Sequence, residues 1–549
     1  MAQIRQRFLG ARQAAKPPRV LYSLRLCVLA SALGSCIFPV FAQRFYPDDP
    51  LMREPPPLPV PHAHAREIND YFDFFVNTFE VYDRDQIRHH HPAPSDAVNS
   101  LGEVPDSAWF TNRIGSGPMS TDELVRGPDA GHDPAAGQWT VISAKNQGIT
   151  PGLVIRDSAG RKYFLKFDPK SNPEMATAAD VIGAKFYYAL GYNVPENYIV
   201  HFRRERLALD SKSTFKDSAG RKRAMAPRDL DKILDKVPHN REGEYRGMAS
   251  LTVPGELIGP FRYTGTRSDD PNDIVDHERR RDLRGLYVFC AWLNHTDAKS
   301  INSLDSLVDE NGLRYVKHYL IDFGDLMGSD SDEPKDPYRG HEFVYQTGPT
   351  VTQLLTFGFY APAWMHADYP HIPAIGNFDY ETFDPERWRS NYQNPAFQLR
   401  TPGDTYWAAK KVMAFTDDDI RAIVATGKYG DPRASQWATR CLIERRNRIG
   451  RAFFRDILPL DHFAVRDGKL VFDDLAVKYG FEGARTYTVQ WSVLDNFNSR
   501  KTTIPGATTF LVPHSTEPYL AADIQASDPR KTVVVYLRGT QVVGVDRTW

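Results

Sequence analysis

The chain has 549 residues and is almost electrically neutral, with 68 Lys and Arg residues against 69 Asp and Glu residues and a formal net charge of −1. This balance of charges gives the protein no long-range field that would attract a polyanion. Overall charge therefore cannot drive binding to nucleic acid or to a membrane surface. Length alone predicts two to four domains, since a domain typically holds about 100–200 residues.

The first 42 residues have the pattern of an export signal. Six basic residues precede an apolar stretch that ends in Val40-Phe-Ala42, which fits the small-x-small pattern of a cleavage site. The stretch is shorter than the roughly twenty apolar residues of a membrane-spanning helix. We therefore predict a signal peptide at 1–42 and a secreted or periplasmic mature protein. The segment Leu33-Gly-Ser-Cys36 resembles a lipoprotein cleavage box, so a lipid anchor at Cys36 is the alternative.

Residues 43–135 begin with a proline-rich run and are predicted to wrap over the core as an extension. Apolar residues at helical spacing predict a helix within 67–82. These residues are Ile68, Phe72, Phe75 and Phe79. The histidine run 89–91, with His62 and His64 nearby, lacks a fixed second pair of ligands, which favours a loop over a metal site.

Two antiparallel strands are predicted next, and the second of them carries a candidate lysine. The segments 152–157 and 160–168 flank a turn and alternate in polarity. Lys166 on the second strand is a candidate site residue, as a cation that could bind phosphate groups; a solvated lysine on an edge strand is the alternative. The loop 145–152, which includes Gly148, is the candidate glycine-bearing loop over the phosphates, although it lacks the G-x-G-x-x-G pattern.

An alanine-rich helix is predicted from Asn172 to Gly191, with Gly191 as its stop. An acid on the helix that follows such a strand can pair with the strand lysine. Two acids compete for that role. We prefer Asp180 in the middle of the helix, because Glu174 in the first turn also serves the helix dipole as a cap.

The most informative motif is Asp297-x-x-x-x-Asn302, followed by Asp322-Phe-Gly324 at the end of an apolar strand. An amphipathic helix over 282–293 leads into it. Phosphoryl-transfer sites of the protein-kinase fold need this order and spacing: the first Asp orients the attacking hydroxyl and accepts its proton, the Asn holds a metal ion, and the second Asp bridges metal and phosphates. Each residue alone has a simpler explanation, such as Asp322 capping a turn, but the set in order favours a site.

The rest of the chain is predicted to hold helices over 417–454, with a break at 427–432. Cys290 and Cys441 lie in apolar helical patterns and are predicted to be buried thiols rather than a disulfide. The segment 328–406 is rich in aromatic residues and proline, and in a kinase fold it would shape the acceptor pocket; ordinary loop packing is the alternative. The candidate pocket residues are Trp364, His366, Tyr369 and Trp388.

Residues 461–549 differ from the preceding segment in the pattern of their apolar residues. Short runs that alternate or are continuously apolar, with turn residues between them, predict a small all-β module of the sandwich type. The runs are 469–472, 485–493, 508–512 and 531–537. Such a module in an exported protein mediates binding or packing more often than catalysis.

The segments 178–200 and 292–304 resemble HipA-type kinases, and more distantly phosphoinositide kinases and the CotH-type and Golgi secretory-pathway kinases. The resemblance implies a two-lobed fold that binds ATP with Mg²⁺ or Mn²⁺ between the lobes. The family usually has Glu at the position of Asp180, and HipA-type sequences have other residues at His295 and Lys299. The implied site residues are Lys166 for the phosphates, Asp180 as its partner, Asp297 as the catalytic Asp, and Asn302 and Asp322 as metal ligands.

We therefore predict an α+β, two-lobed protein-kinase-like fold with an appended small all-β C-terminal domain. The expected units are an N-lobe at 136–258 with an insertion at about 204–246, a helical C-lobe at 259–460 and the β domain at 461–549. The expected function is exported transfer of a phosphoryl group, or less readily a nucleotidyl group, from metal-bound ATP to a hydroxyl of an unidentified protein or small molecule. The alternative is a pseudokinase or other non-catalytic binding protein of the cell envelope. A carbohydrate-binding or envelope-structural role would rest on the β domain alone.

Overall fold

The computed structural model describes residues 43–79, 93–117, 119–145, 152–216, 221–345, 352, 355–356 and 362–549. The predicted signal peptide with Cys36, the histidine run 89–91 and Gly148 lie outside these residues. In the described part of the chain, helices and sheets segregate along the sequence, which makes the fold α+β as predicted.

The helices are α1 (Asp70–Phe79), α2 (Thr121–Arg126), α3 (Met175–Leu190), α4 (Pro227–Leu234), α5 (Arg281–Leu293), α6 (Pro395–Gln398), α7 (Pro402–Met413), α8 (Asp417–Ala425), α9 (Pro432–Arg455) and α10 (Leu475–Lys478). The strands are β1 (Trp139–Lys145), β2 (Gly152–Arg156), β3 (Lys162–Lys166), β4 (Asn197–Arg203), β5 (Leu207–Lys216), β6 (Lys222–Ala224), β7 (Glu244–Leu251), β8 (Glu256–Leu257), β9 (Ser303–Glu310), β10 (Leu313–Leu320), β11 (Leu460–Arg466), β12 (Lys469–Asp474), β13 (Thr488–Asp495), β14 (Arg500–Thr503), β15 (Tyr519–Gln525), β16 (Thr532–Arg538) and β17 (Gln541–Arg547).

A seven-stranded sheet spans 139–251 in the order β4-β7-β3-β2-β1-β5-β6. Strand β3 lies between β7 and β2, so Lys166 is not on an edge strand. Strand β5 runs parallel to β1, which means that the segment predicted as an insertion at 204–246 extends this sheet. One face of the sheet packs with α4 around Trp139, Tyr163 and Leu230.

Helix α3 connects the sheet to the helical part of the chain. Ile182 and Phe186 of α3 are fully buried in one cluster with Trp292 of α5, Trp407 of α7 and Leu442 of α9. The predicted amphipathic character of α5 is wrong, since all of its residues from Asp282 to Leu293 are buried. A helix that other helices surround has no solvent-facing stripe to keep polar.

The predicted break between the last two long helices is confirmed: α8 ends at Ala425 and α9 begins at Pro432, where a missing N–H costs nothing. Cys290 and Cys441 are both buried and unbridged, as predicted. Among the described residues, no helix combines the length and apolarity that crossing a membrane requires.

The C-terminal part holds a five-stranded antiparallel sheet in the order β14-β13-β15-β16-β17. The β11–β12 hairpin shares one core with it, in which Leu460 and Leu470 join Trp491 and Val535. The short helix α10 departs from the all-β prediction. The run predicted at 508–512 forms no regular strand, only a bridge at Leu511.

Helix α1 lies within the segment 67–82 where a helix was predicted, and it buries polar residues instead of its aromatic ones. Its buried residues are Asp73 and Asn77, whereas Phe72, Phe75 and Phe79 are each more than half exposed. The polar face is buried because it meets two other segments. Lys299 of the loop after α5 pairs with Asp70, and the Tyr392 hydroxyl, in the segment before α6, donates to Asp73. The apolar spacing identified the helix but not the face that it buries.

The two ends of the described chain meet, and a partly buried ion-pair network reinforces their junction. Phe45 packs on Tyr536 of β16 with 5.2 Å between ring centroids. Lys410 of α7 contacts Glu103 of the extension, and its Nζ lies 2.9 Å from an Asp461 carboxylate oxygen in β11. Burial alone would raise the pKa of Asp461, but the charge of Lys410 outweighs it and lowers that pKa.

Candidate active site

A β-hairpin brings the two halves of the predicted motif together. Strands β9 and β10 pair antiparallel with Ser303 opposite Leu320. One residue further out, the Ile321 N–H donates to the Asn302 carbonyl at 3.1 Å. Because the hairpin returns the chain to its starting point, Asn302 just before β9 and Asp322 just after β10 lie at the same end.

Lys166 reaches two carboxylates at this end of the hairpin. Its Nζ lies 3.2 Å from Asp180 Oδ2 and 2.6 Å from Asp322 Oδ1. The Asp180 Oδ1 accepts the Phe323 N–H at 2.8 Å, so one buried carboxylate joins β3, α3 and the Asp-Phe-Gly turn. The predicted pairing of Lys166 with Asp180 is present, and the Asp side chain is long enough to make it.

Two glycines allow this close approach. A Cβ atom at Gly183 of α3 would lie 2.7 Å from the Phe323 Cβ, and a Cβ at Gly324 would lie 3.2 Å from Asp180 Oδ2. Phe323 is fully buried and stacks on Tyr187 of α3 at 5.0 Å between centroids. The turn is thus fixed against α3, which holds Asp322 over Lys166.

The charges of the cluster depend on one another. Burial and the neighbouring Asp322 charge raise the pKa of Asp180, and Lys166 opposes them. Burial alone would lower the pKa of Lys166, but the charges of Asp180 and Asp322 outweigh it and raise that pKa. The charge of Lys166 in turn lowers the pKa of Asp322. Two carboxylates share one ammonium group, which leaves one negative charge that a bound cation would neutralise.

Asp297 receives hydrogen bonds from three side chains. The Asn302 Nδ2 donates to Oδ2 at 2.8 Å and to the Asp297 carbonyl at 2.9 Å. The Oδ1 atom lies 3.0 Å from Lys299 Nζ and accepts from Asn391 Nδ2 at 3.1 Å. The carboxylate is therefore held in one orientation.

Sequence reasoning missed two of these contacts. Asn391 lies 94 residues after Asp297 in an irregular segment, and no periodic pattern or motif marks it. Lys299 also pairs with Asp70 of α1, with 3.1 Å between Nζ and Oδ2. Both contacts join segments that are far apart in the chain, and neither Asn391 nor Asp70 has a local signal that points to the site.

Glu174 has neither of the roles considered for it. It precedes α3 with φ +72° and makes no side-chain cap. Its Oε2 accepts the Gly430 N–H at 2.7 Å, in the loop before α9 and away from Lys166. Gly148 lies outside the described residues, in the connection between the paired ends Lys145 and Gly152 of β1 and β2.

The aromatic residues predicted to shape a pocket divide into two groups. Trp388 is buried, and its Nε1 donates to Asn294 Oδ1 at 3.1 Å, so it packs beneath the loop of Asp297 instead of lining a pocket. Trp364 is partly exposed and donates to Glu342 Oε1 at 2.9 Å. His366 is exposed and Tyr369 is partly buried. Ordinary packing thus accounts for Trp388.

Within the described residues, no group of three or more His, Cys, Asp or Glu side chains is arranged to hold a metal ion. His64 instead pairs with Asp269, with 3.3 Å between Nδ1 and Oδ2. A kinase-type metal requires less, because Mg²⁺ is usually held by one or two carboxylates together with substrate phosphates and water. Asn302 and Asp322 fit such a site, since the cluster beside them has an uncompensated negative charge.

His295, two residues before Asp297 in the chain, is buried. Its Nδ1 lies 2.9 Å from the Tyr187 hydroxyl, and its Nε2 has no hydrogen-bond partner among the described residues. Burial lowers the pKa of His295 from 6.5 to about 4.

We expect the free energy of unfolding to fall as the pH drops from 6.5 to about 4. Within this pH window His295 is protonated in the unfolded chain but not in the folded chain. It therefore lowers the free energy of unfolding by roughly 3 kcal/mol. Denaturant titrations at several pH values, for the parent and for His295→Gln, measure the difference. Identical pH dependence in both proteins would contradict the prediction.

Comparison with known proteins gives low-identity matches to kinases of solved structure. The proinflammatory kinase CtkA of Helicobacter pylori is 12% identical over 57% of this chain and 92% of that chain, with a TM-score of 0.30. The Golgi casein kinase is 10% identical over 73% of this chain and 94% of that chain, with a TM-score of 0.30. Its complex with Mn and ADP gives the same values. No protein-family model and no curated protein matches the sequence.

Proposed function

We propose that this chain is an exported kinase-like phosphotransferase that moves a phosphoryl group from metal-bound ATP to a hydroxyl acceptor. The convergence of Lys166, Asp180 and Asp322 supports this proposal most strongly. The β9–β10 hairpin adds Asp297 and Asn302 to the same place. A lysine on a central strand, an acid from the adjacent helix and the two motif aspartates are the parts that phosphoryl transfer of this class uses.

In the proposed reaction, Lys166 binds the ATP phosphates, and Asp180 keeps its ammonium group in place. Asp297 orients the acceptor hydroxyl and accepts its proton. A bond forms between the hydroxyl oxygen and the γ-phosphorus while the bond to the β–γ bridging oxygen breaks, so ADP leaves with that electron pair. The Oδ1 atom of Asp297 is occupied by Lys299 and Asn391, whereas Oδ2 accepts from Asn302 and keeps a lone pair for the proton.

Asn302 and Asp322 would hold the Mg²⁺ or Mn²⁺ ion. When bound, the ion would neutralise charge that develops on the transferred group. The chain positions both ligands through the hairpin and through the contact of Asp322 with Lys166.

Location and partners form a separate part of the proposal. The leader at 1–42 supports export, with lipid attachment at Cys36 as the variant, and association with the cell envelope fits either outcome. The even charge balance speaks against nucleic acid as the acceptor. A hydroxyl on a protein or small molecule is the proposed acceptor, and the C-terminal β module would bind or pack against a partner.

A thermal-shift and transfer experiment tests this function. ATP with Mg²⁺ or Mn²⁺ should raise the melting temperature, because a ligand at a hundred times its Kd stabilises the folded state by about 2.7 kcal/mol. ATP without metal is the control and should give a smaller shift. Radiolabelled ATP then reports transfer to the chain itself or to dephosphorylated proteins.

The outcomes separate the candidate functions. A metal-dependent shift with transfer supports the phosphotransferase. A shift without transfer would identify a pseudokinase or nucleotide-binding protein instead. If ATP and metal give no shift, the function would have to come from the β module, as in carbohydrate binding or an envelope-structural role.

A further inference from the structure

Asp297 is held from a part of the chain that the motif does not include. Asn391 lies between the segment of Trp388 and α6, and its Nδ2 donates to Asp297 Oδ1 at 3.1 Å. Asn302, by contrast, holds the other oxygen, Oδ2, at 2.8 Å. The two amides therefore fix the plane of the carboxylate from opposite ends.

The backbone of Asn391 is anchored to the same loop. Its N–H donates to the Thr296 carbonyl at 2.8 Å, and its own carbonyl accepts the Val344 N–H at 2.8 Å. The main-chain contact at Thr296 and the side-chain contact at Asp297 engage two successive residues of the loop. Asn391 is thus tied to the loop of Asp297 by both its main chain and its side chain.

The other end of the amide shows what determines its orientation. The Asn391 Oδ1 is buried and has no hydrogen-bond partner among the described residues. A buried unpaired amide oxygen is costly, and such exceptions in folded proteins call for a compensating role. The opposite orientation would turn Oδ1 toward the Asp297 carboxylate, so the contact with Asp297 dictates the orientation present.

We infer that Asn391 is a positioning residue for Asp297, and that it aims the free lone pair of Oδ2 at the acceptor hydroxyl. This inference rests on the proposed phosphotransferase function. Asn391 makes no contact with Lys166, Asn302 or Asp322 among its hydrogen bonds, so it acts on the acceptor side of the site and not on nucleotide binding.

Two substitutions separate positioning from packing. Asn391→Ala removes the donor, and kcat should fall roughly tenfold to a hundredfold, the equivalent of one hydrogen bond to a charged group. Asn391→Asp has nearly the same shape but places a second carboxylate against Asp297. Donation to Asp297 predicts that kcat falls further in the Asp variant than in the Ala variant; a packing role predicts the reverse order.

The assay follows ADP release from ATP and Mg²⁺ with a fixed set of dephosphorylated proteins as acceptors. The KM for ATP and the ATP-dependent rise in melting temperature should stay at the parent values in both variants, which also shows that they fold. The control is Gln393→Ala, two residues away, whose Oε1 accepts from Gln398 at 2.7 Å and which should match the parent.

Three outcomes would overturn the inference while the proposed function stands. They are a parent-like kcat in Asn391→Ala, a smaller loss of kcat in Asn391→Asp than in Asn391→Ala, and a KM for ATP that rises as much as kcat falls. A parent protein that binds ATP without releasing ADP or transferring phosphate would overturn the proposed function and this inference together.

Discussion

Replacing Asp297 by Asn is expected to abolish phosphoryl transfer and to leave nucleotide binding unchanged. An amide cannot accept the acceptor proton, and general-base catalysis of this kind contributes about 10²–10⁴-fold to the rate. The substitution preserves shape, and its neighbours Lys299, Asn302 and Asn391 remain. The loss should therefore appear in kcat alone, because the interaction matters mainly in the transition state.

Asp322→Asn should behave differently. This carboxylate lies 2.6 Å from Lys166 and would hold the metal ion in the ground state as well as in the transition state. Its loss should therefore weaken metal-dependent ATP binding as well as transfer. Asp309→Asn on β9, where the side chain is 69% exposed, is the matched control. ATP affinity and transfer of labelled phosphate are measured for Asp297→Asn, Asp322→Asn and Asp309→Asn. Undiminished transfer in both Asp297→Asn and Asp322→Asn would refute the kinase assignment.

Lys166→Met is expected to eliminate ATP binding and to destabilise the fold. Asp180 is 2% exposed and would then face Asp322 without a cation between them. Because the Lys166 side chain is 30% exposed, the cost should lie below that of a fully buried pair, at roughly 2 kcal/mol.

A second substitution distinguishes the two effects. Asp180→Asn removes the unpaired charge while its amide oxygen can still accept the Phe323 N–H, so the double variant should recover most of the stability but not the ATP binding. Lys162→Met at the exposed start of β3 is the control. Denaturant midpoints and ATP affinities provide both measurements; ATP affinity that survives in Lys166→Met would remove this lysine from the site.

Sequence patterns predicted the parts of the site whose position follows from short-range rules. The spacing from Asn302 to Asp322 corresponds to one β-hairpin, which must bring its ends together. The turn at 158–160 placed Lys166 on a strand, and helical periodicity placed Asp180 on the following helix. Their side-chain contact then required only that α3 pack on the sheet.

Contacts that depend on tertiary packing were not predictable in this way. The role of Asn391 depends on how an irregular segment returns to the loop of Asp297, and no local propensity encodes that path. The buried face of α1 could not be predicted for a related reason. Apolar spacing alone would place the aromatic residues inside, but the helix instead buries Asp73, which accepts a hydrogen bond from the Tyr392 hydroxyl at 3.2 Å. Trp388 likewise carries no mark that distinguishes packing beneath a loop from lining a pocket.

The meeting of the chain ends limits how the molecule can be divided. Without the residues from β11 onward, Lys410 would retain Glu103 but lose Asp461, and Phe45 would lose the ring of Tyr536 on which it packs. Removing one partner of a fully buried charged pair costs about 3–5 kcal/mol, and the loss of Asp461 from this partly buried network should cost less than that. Truncation before β11 should therefore destabilise more than the β module itself. The module packs on the N-terminal extension at Phe45, and the same extension contacts the loop of Asp297 through Asp70 of α1 and Lys299.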